Sequence, residues 1–146
     1  GKFRRQRQMC IRDRSYSGIC MKLLFVCVGN TCRSQMAESI ARHHGHEAYS
    51  GGTEPGKSVS ENAITALIEE GYSPEGLAPK SVDLVYPSDY DMIISMGCGV
   101  SCPNIPIDED WELEDPVGQD LEVFRSTRDE ILLRIMRILP NSLTDA

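Results

Sequence analysis

Residues 27–34 read CVGNTCRS. In front of them stands KLLFVC (22–27), a short, nearly unbroken apolar run that suits a central strand buried on both faces. Behind them, QMAESIARHH (35–44) puts Met36, Ala37, Ile40 and Ala41 on one helical face, with Glu38 and Arg42 elsewhere. The stretch is therefore the turn between a buried strand and a helix. Cys27 and Arg33 have the spacing C-x5-R. Between them the backbone N–H groups of Val28, Gly29, Asn30, Thr31 and Cys32 can converge on one point, and the helix adds the positive end of its dipole. This is a bowl for a tetrahedral oxyanion. The amides, the dipole and the Arg33 cation all favour a thiolate at its rim. Ser34 can donate to the sulfur, Gly29 permits close backbone approach, and Asn30 tolerates left-handed angles. Arg33 can grip two anion oxygens through its planar fork, which a lysine could not do. The bland alternative is a buried strand-end cysteine and a surface arginine. The strand-to-helix setting, with Gly, Asn and Ser in suitable places, weighs against it.

The pattern outward from this turn alternates strands and helices. Gly45 is expected to stop the first helix. Residues 47–50 (EAYS) read as a short strand and GGTEPGKS (51–58) as a loop. Ser58 or Ser60 can cap a helix carrying Ala63, Ile64, Leu67 and Ile68, which Gly71 ends. Residues 81–86 read as a short helix. Residues 90–96 (YDMIISM) read as another buried strand, and IPI (105–107) as a last, short one. Residues 108–120 read as an acidic loop. Residues 121–139 form the longest predicted helix, with Phe124, Arg128, Ile131, Leu132, Ile135, Ile138 and Leu139 inward and Pro140 as its stop. This order predicts an α/β fold: a small three-layer α/β/α domain with a four-stranded parallel sheet, binding its ligand at the carboxyl ends of the strands.

Composition narrows the class. The 146 residues are 40% hydrophobic and 25% charged, ordinary for a globular protein. No apolar run approaches the ~18 residues of a membrane span, so no membrane partner is expected and a cytoplasmic location is. Residues 1–20 differ from the rest. They hold six of the 15 Lys/Arg and one of the 22 Asp/Glu, leaving nine bases against 21 acids, a net of −12, from Met21 onward. They lack the apolar core of a signal peptide. A basic nucleic-acid arm is the alternative, but so acidic a body would repel phosphate backbones. Residues 1–20 are expected to lie outside the domain, which spans 21–146, with Met21 the expected native start. The four cysteines of that body, Cys27, Cys32, Cys98 and Cys102, suggest reactive thiols or a metal site rather than a disulfide framework.

CVGNTCRSQMAE resembles the phosphate-binding loop of the low-molecular-weight tyrosine phosphatase superfamily, which includes thiol-dependent arsenate reductases. The resemblance runs from about Met21 to about Leu139. The loop motif is specific for the superfamily and does not separate its branches. The rest of the sequence does. In the superfamily an Asp-Pro pair carries the general acid, and WELEDP followed by a long helix puts that role on Asp115; on spacing alone, one acid in this run is a solvated loop residue. Members acting on phosphotyrosine usually follow Asp-Pro with aromatic residues. DPVGQD (115–120) has none.

ISMGCGVSCP (94–103) puts Cys98 and Cys102 just past a predicted strand, with Gly97 and Gly99 flanking Cys98. A relay of thiols suits arsenate reduction, which draws two electrons from thiols; a phosphatase has no use for one. Half a zinc site, with His43, His44 and His46 as the only histidines, and inert packing on a Gly-rich turn are the competing readings. Taken over by matching positions, Cys27 is the nucleophile, Arg33 the arsenate clamp, Asp115 the acid, and Cys98 and Cys102 the relay thiols. Arsenate is then the substrate, with phosphate or sulfate as analogues. No tightly bound cofactor is implied beyond a potassium ion that some relatives hold, at positions matching Asn30, Glu38, Ser50 and Asp83. The external reductant is thioredoxin or a low-molecular-weight thiol or glutaredoxin-type system. The three-residue spacer between Cys98 and Cys102 is shorter than in well-known thioredoxin-coupled members. Phosphomonoester hydrolysis in the same loop is the alternative activity.

Overall fold

The computed structural model describes residues 21–97, 106–114, 116 and 118–138. Four strands, β1 (Lys22–Cys27), β2 (Glu47–Gly52), β3 (Met92–Ser95) and β4 (Glu109–Asp110), form one parallel sheet in the order β2-β1-β3-β4. Three α-helices accompany it: α1 (Arg33–His43), α2 (Glu61–Glu69) and α3 (Leu121–Met136). The predicted fold is borne out.

β1 is central because it can be buried on both faces. Leu23 and Phe25 point to one side with Met36, Ile40, Ala63, Leu67, Phe124, Ile131 and Ile135 from the three helices. Leu24 and Val26 point to the other, against Val82 and Ile93. That second face is covered by a segment with two 3-10 turns, Val82–Leu84 and Pro87–Asp89, where the sequence suggested one short helix. Tyr90 and Val85 pack beside them.

The last strand is displaced from its expected place. Ile107 is exposed and not in the sheet, and pairing with β3 falls on Glu109 and Asp110 instead. Asp108 fixes this register: its N–H donates to the Ile93 carbonyl (2.8 Å) and its carboxylate accepts the Ile93 N–H (2.7 Å). Beyond β4, Trp111 and Leu113 turn into the core, with Trp111 tilted against Phe25 at 5.7 Å between centroids. The stretch read as acidic loop is therefore an edge strand and part of the core. The helix predicted to reach residue 139 is α-helical only to Met136. Arg128 on its inner stripe is buried, and its guanidinium donates to the Ala66 carbonyl (2.9 Å) and Glu69 (3.2 Å) at the end of α2.

Of the three histidines, His43 is exposed and His44 and His46 are half-buried. His43 and His44 meet Tyr72 edge-on or tilted, at 4.9 and 6.2 Å. His46 Nδ1 accepts the Met21 N–H at 3.1 Å, which pins the start of β1. Among the described residues no three His, Cys, Asp or Glu side chains gather as metal ligands, and no helix is long and apolar enough to cross a membrane. Burial, aided by the charge of His44, pushes the His46 imidazole down to about 4. The unfolded chain then binds the extra proton between about 6.5 and 4, so stability is complete above that window and falls as pH drops through it. Because the ring is partly exposed, we expect wild type to lose about 1–2 kcal/mol more than His46→Asn between pH 7 and 4, read by urea denaturation.

Candidate functional site

The loop between β1 and α1 sits at the carboxyl end of the central strand, where the chain turns to β2 on one side and later to β3 on the other. In open α/β sheets that is where ligands bind. Its carbonyls are held outward. Thr53 N–H donates to Cys27 O (3.2 Å), Glu54 to Val28 O (2.8 Å), Gly56 to Gly29 O (2.9 Å) and Ser60 to Thr31 O (2.9 Å). Gln35 Nε2 takes the Asn30 carbonyl at 2.9 Å. A trans peptide points its N–H opposite its C=O, so the amides of residues 28–32 turn inward together. This is the bowl the sequence suggested.

Asn30 holds the bowl's shape. It has φ 55°, a left-handed conformation that only Gly and Asn-like residues adopt readily, and it is fully buried. Its Nδ2 donates to Ser34 Oγ (2.8 Å) and its Oδ1 accepts the Lys80 N–H (2.7 Å). Gly52 lies beside Cys27 in the sheet register, and a Cβ there would meet the Val28 carbonyl at 2.6 Å and Asn30 Cβ at 2.9 Å. A Cβ on Gly56 would meet the Thr31 side chain, at 2.8 Å from Cγ2. Sequence reading passed both glycines over as loop composition. The signal for Gly52 was GG directly after the strand predicted over 47–50; Gly56 had none.

Cys27, 3% exposed, places its Sγ at the floor of the loop. It meets Ser34 Oγ at 2.9 Å and accepts the Asn30 N–H at 3.1 Å. A thiolate there accepts both. The second thiol, Cys32, is equally buried, belongs to the main core cluster, and meets Thr31 Oγ1 at 3.8 Å. Arg33 is not a surface residue: it is 4% exposed, and its Nη1 donates to the carbonyls of Met96 (3.1 Å) and Leu113 (2.8 Å). A cation at the first turn of α1 adds to the positive end of the helix dipole. The bowl thus combines inward amides, a buried guanidinium and a thiol, which together can hold an oxyanion and attack its central atom.

Asp115, Cys98 and Cys102 lie outside the described residues. Their neighbours do not: Leu113, two residues before Asp115, is bonded to Arg33, and Gly97, just before Cys98, follows Met96, which is bonded to it as well.

The potassium candidates do not make a cation cradle. Glu38 is fully buried, but its carboxylate is ion-paired with Arg42, lies 3.6 Å from Lys80 Nζ and accepts the Ser50 hydroxyl at 2.6 Å. The Asn30 oxygen serves Lys80, and Asp83 is exposed. The charge of Glu38, the one buried carboxylate among them, is already matched by two protein cations, so the group does not fit a potassium ion.

Replacing Asn30 by Ala should leave Ser34 and the Lys80 amide without this partner and keep the left-handed strain. We expect a loss of about 2–3 kcal/mol in urea denaturation and slower alkylation of Cys27 followed by peptide mass spectrometry.

The chain is similar to known proteins. Residues 22–145 match the family model described as low molecular weight phosphotyrosine protein phosphatase. The chain is 40% identical over 126 residues to the glutaredoxin arsenate reductase of Synechocystis sp., covering 81% of this chain and 95% of that protein. It is 32% identical over 126 residues to a putative arsenate reductase of Halobacterium salinarum, covering 79% and 88%. A solved arsenate reductase in the phosphate binding state superposes with a TM-score of 0.72 at 41% identity, over 79% of this chain and 93% of that one. The chain belongs to the low molecular weight phosphotyrosine protein phosphatase family.

Proposed function

We propose that the protein reduces arsenate to arsenite through a cysteine relay. The observation that carries this reading is the inward-facing amide bowl with Cys27 at its floor and Arg33 at its edge, in a chain 40% identical to a named arsenate reductase. Arsenate enters the bowl, and Arg33 and the amides of residues 28–32 neutralise its oxygens. Cys27 attacks arsenic, and one oxygen leaves as water with a proton from Asp115. Cys98 then attacks the Cys27 sulfur. The As–S bond breaks, its electron pair stays on arsenic, and arsenite leaves with Cys27–Cys98 as a disulfide. Cys102 attacks Cys98 and returns Cys27 to the thiol, leaving the oxidation on Cys98–Cys102. An external thiol reduces that disulfide. The name of the Synechocystis relative, together with the short spacer here, favours a glutaredoxin and small-thiol donor over thioredoxin. No step uses potassium.

Phosphomonoester hydrolysis is the second reading, because the bowl, Cys27 and Asp115 suffice for it and the family model carries a phosphatase description. The two are separated by their thiols. Arsenate-dependent NADPH consumption is expected with a glutaredoxin system and lost by about 100-fold or more in Cys98→Ser, while p-nitrophenyl phosphate hydrolysis persists in Cys98→Ser/Cys102→Ser. Full multiple-turnover arsenite production by Cys98→Ser would sink the relay. No arsenite production by wild type with any donor, alongside rapid phosphate ester hydrolysis, would leave the phosphatase.

A further inference from the structure

We propose that Gly97 is a positioning residue for Arg33. Its missing side chain lets the chain leaving β3 close on Glu112, and that closure sets the two carbonyls from which the guanidinium hangs.

The two carbonyls belong to the immediate neighbours of this contact. Arg33 Nη1 donates to Met96 O, which precedes Gly97, and to Leu113 O, which follows Glu112. The Leu113 N–H closes the triangle by donating to Met96 O at 2.9 Å. A Cβ on Gly97 would lie 2.7 Å from Glu112 Cα and 3.2 Å from its backbone C and N. These are backbone atoms, so no side-chain rotation relieves the clash. Gly97 also has φ +103°, a conformation L side chains rarely adopt.

The opposite residue is strained too. Glu112 has φ 47°, uncommon for a non-glycine. Each of the two is tied down in the same way, by a side chain two residues upstream. Ser95 Oγ accepts the Gly97 N–H at 3.1 Å, and Asp110 Oδ1 accepts the Glu112 N–H at 3.0 Å. Two left-handed residues, each locked by its own turn, therefore face each other beside a buried cation. Strain persists where the surroundings over-determine it, and here it holds the pair that spaces Met96 O and Leu113 O. With Nη1 spent on those carbonyls, the direction in which the guanidinium faces the bowl follows from their spacing. Neither Gly97 nor Glu112 lies in the loop that forms the bowl, so their effect on anion binding runs through Arg33.

This inference rests on the oxyanion bowl of the proposed function, and it holds whether that bowl serves arsenate or a phosphate ester. The test is the affinity of the whole protein for inorganic phosphate by isothermal titration calorimetry, with melting temperatures measured in parallel. Gly97→Ala is compared with Gly71→Ala, which has the same backbone strain (φ +83°) but no atom within 4 Å of the added Cβ. Both variants should melt earlier. Gly97→Ala should bind phosphate about tenfold or more weakly, the scale of misplacing one charge-assisted contact, and Gly71→Ala should bind as wild type does. Should Gly97→Ala fail to fold, Ser95→Ala decides by releasing the same turn more gently, with binding weakened about threefold. Wild-type affinity in folded Gly97→Ala overturns the proposal, as does wild-type affinity in Ser95→Ala where Gly97→Ala is unfolded, or an equal loss in Gly71→Ala. Failure of arsenate turnover in wild type that still binds phosphate would reject the arsenate reading and leave this one standing.

Discussion

The site depends on where the carbonyls of residues 27–31 go. An amide can face an anion only if its peptide's oxygen is accommodated on the opposite side. Four of these oxygens are taken by amides of the segment at residues 53–60, and the fifth by Gln35. The bowl is thus the inner face of an outer hydrogen-bond ring. That ring forms only if β2 ends close against the loop, and so Gly52 lies where any Cβ would strike Val28 O. The anion site is assembled by the whole β1–α1–β2 unit rather than by the eight residues of the motif.

Arg33 extends the same logic to the other side of the sheet. A buried guanidinium left with unpaired donors would be costly. Here carbonyls at the ends of β3 and β4 accept from it. Each supplies a partial negative charge that helps to offset the desolvation of the cation. The same two bonds join the loop to the chain segments leading into Cys98 and Asp115.

The sequence disclosed local features far better than distant ones. β1, the loop, and α1 were legible because the apolar run, the C-x5-R spacing and the 3.6-residue stripe are all short-range patterns. Ser34 on Cys27 and the left-handed Asn30 were legible for the same reason. Lys80 against Asn30 and Glu38, and Leu113 against Arg33, were not, since those partners are 50, 42 and 80 residues apart along the chain. The acidic stretch 108–120 was misread because charge count conceals alternation. Glu109 and Asp110 lie on an exposed sheet edge, while Trp111 and Leu113 supply the buried side. The potassium ligands taken from resemblance failed on charge, because Lys80 and Arg42 already meet the buried carboxylate.

The burial of Cys27 also bears on which chemistry the bowl can finish. A phosphoryl or arsenyl adduct forms at the same sulfur by the same attack; what differs is the second reactant. Hydrolysis of a phosphocysteine brings water to the phosphorus. Reduction of an arsenylated cysteine brings a thiol to the sulfur itself, on a residue only 3% exposed, in contact with Ser34 and the Asn30 amide. A bulky external reductant has little room to reach it. In the proposed reaction that attack comes from a thiol on the protein's own chain. Arg33 ties the loop to Met96, two residues before Cys98, so the segment bearing that thiol begins at the support that holds the anion.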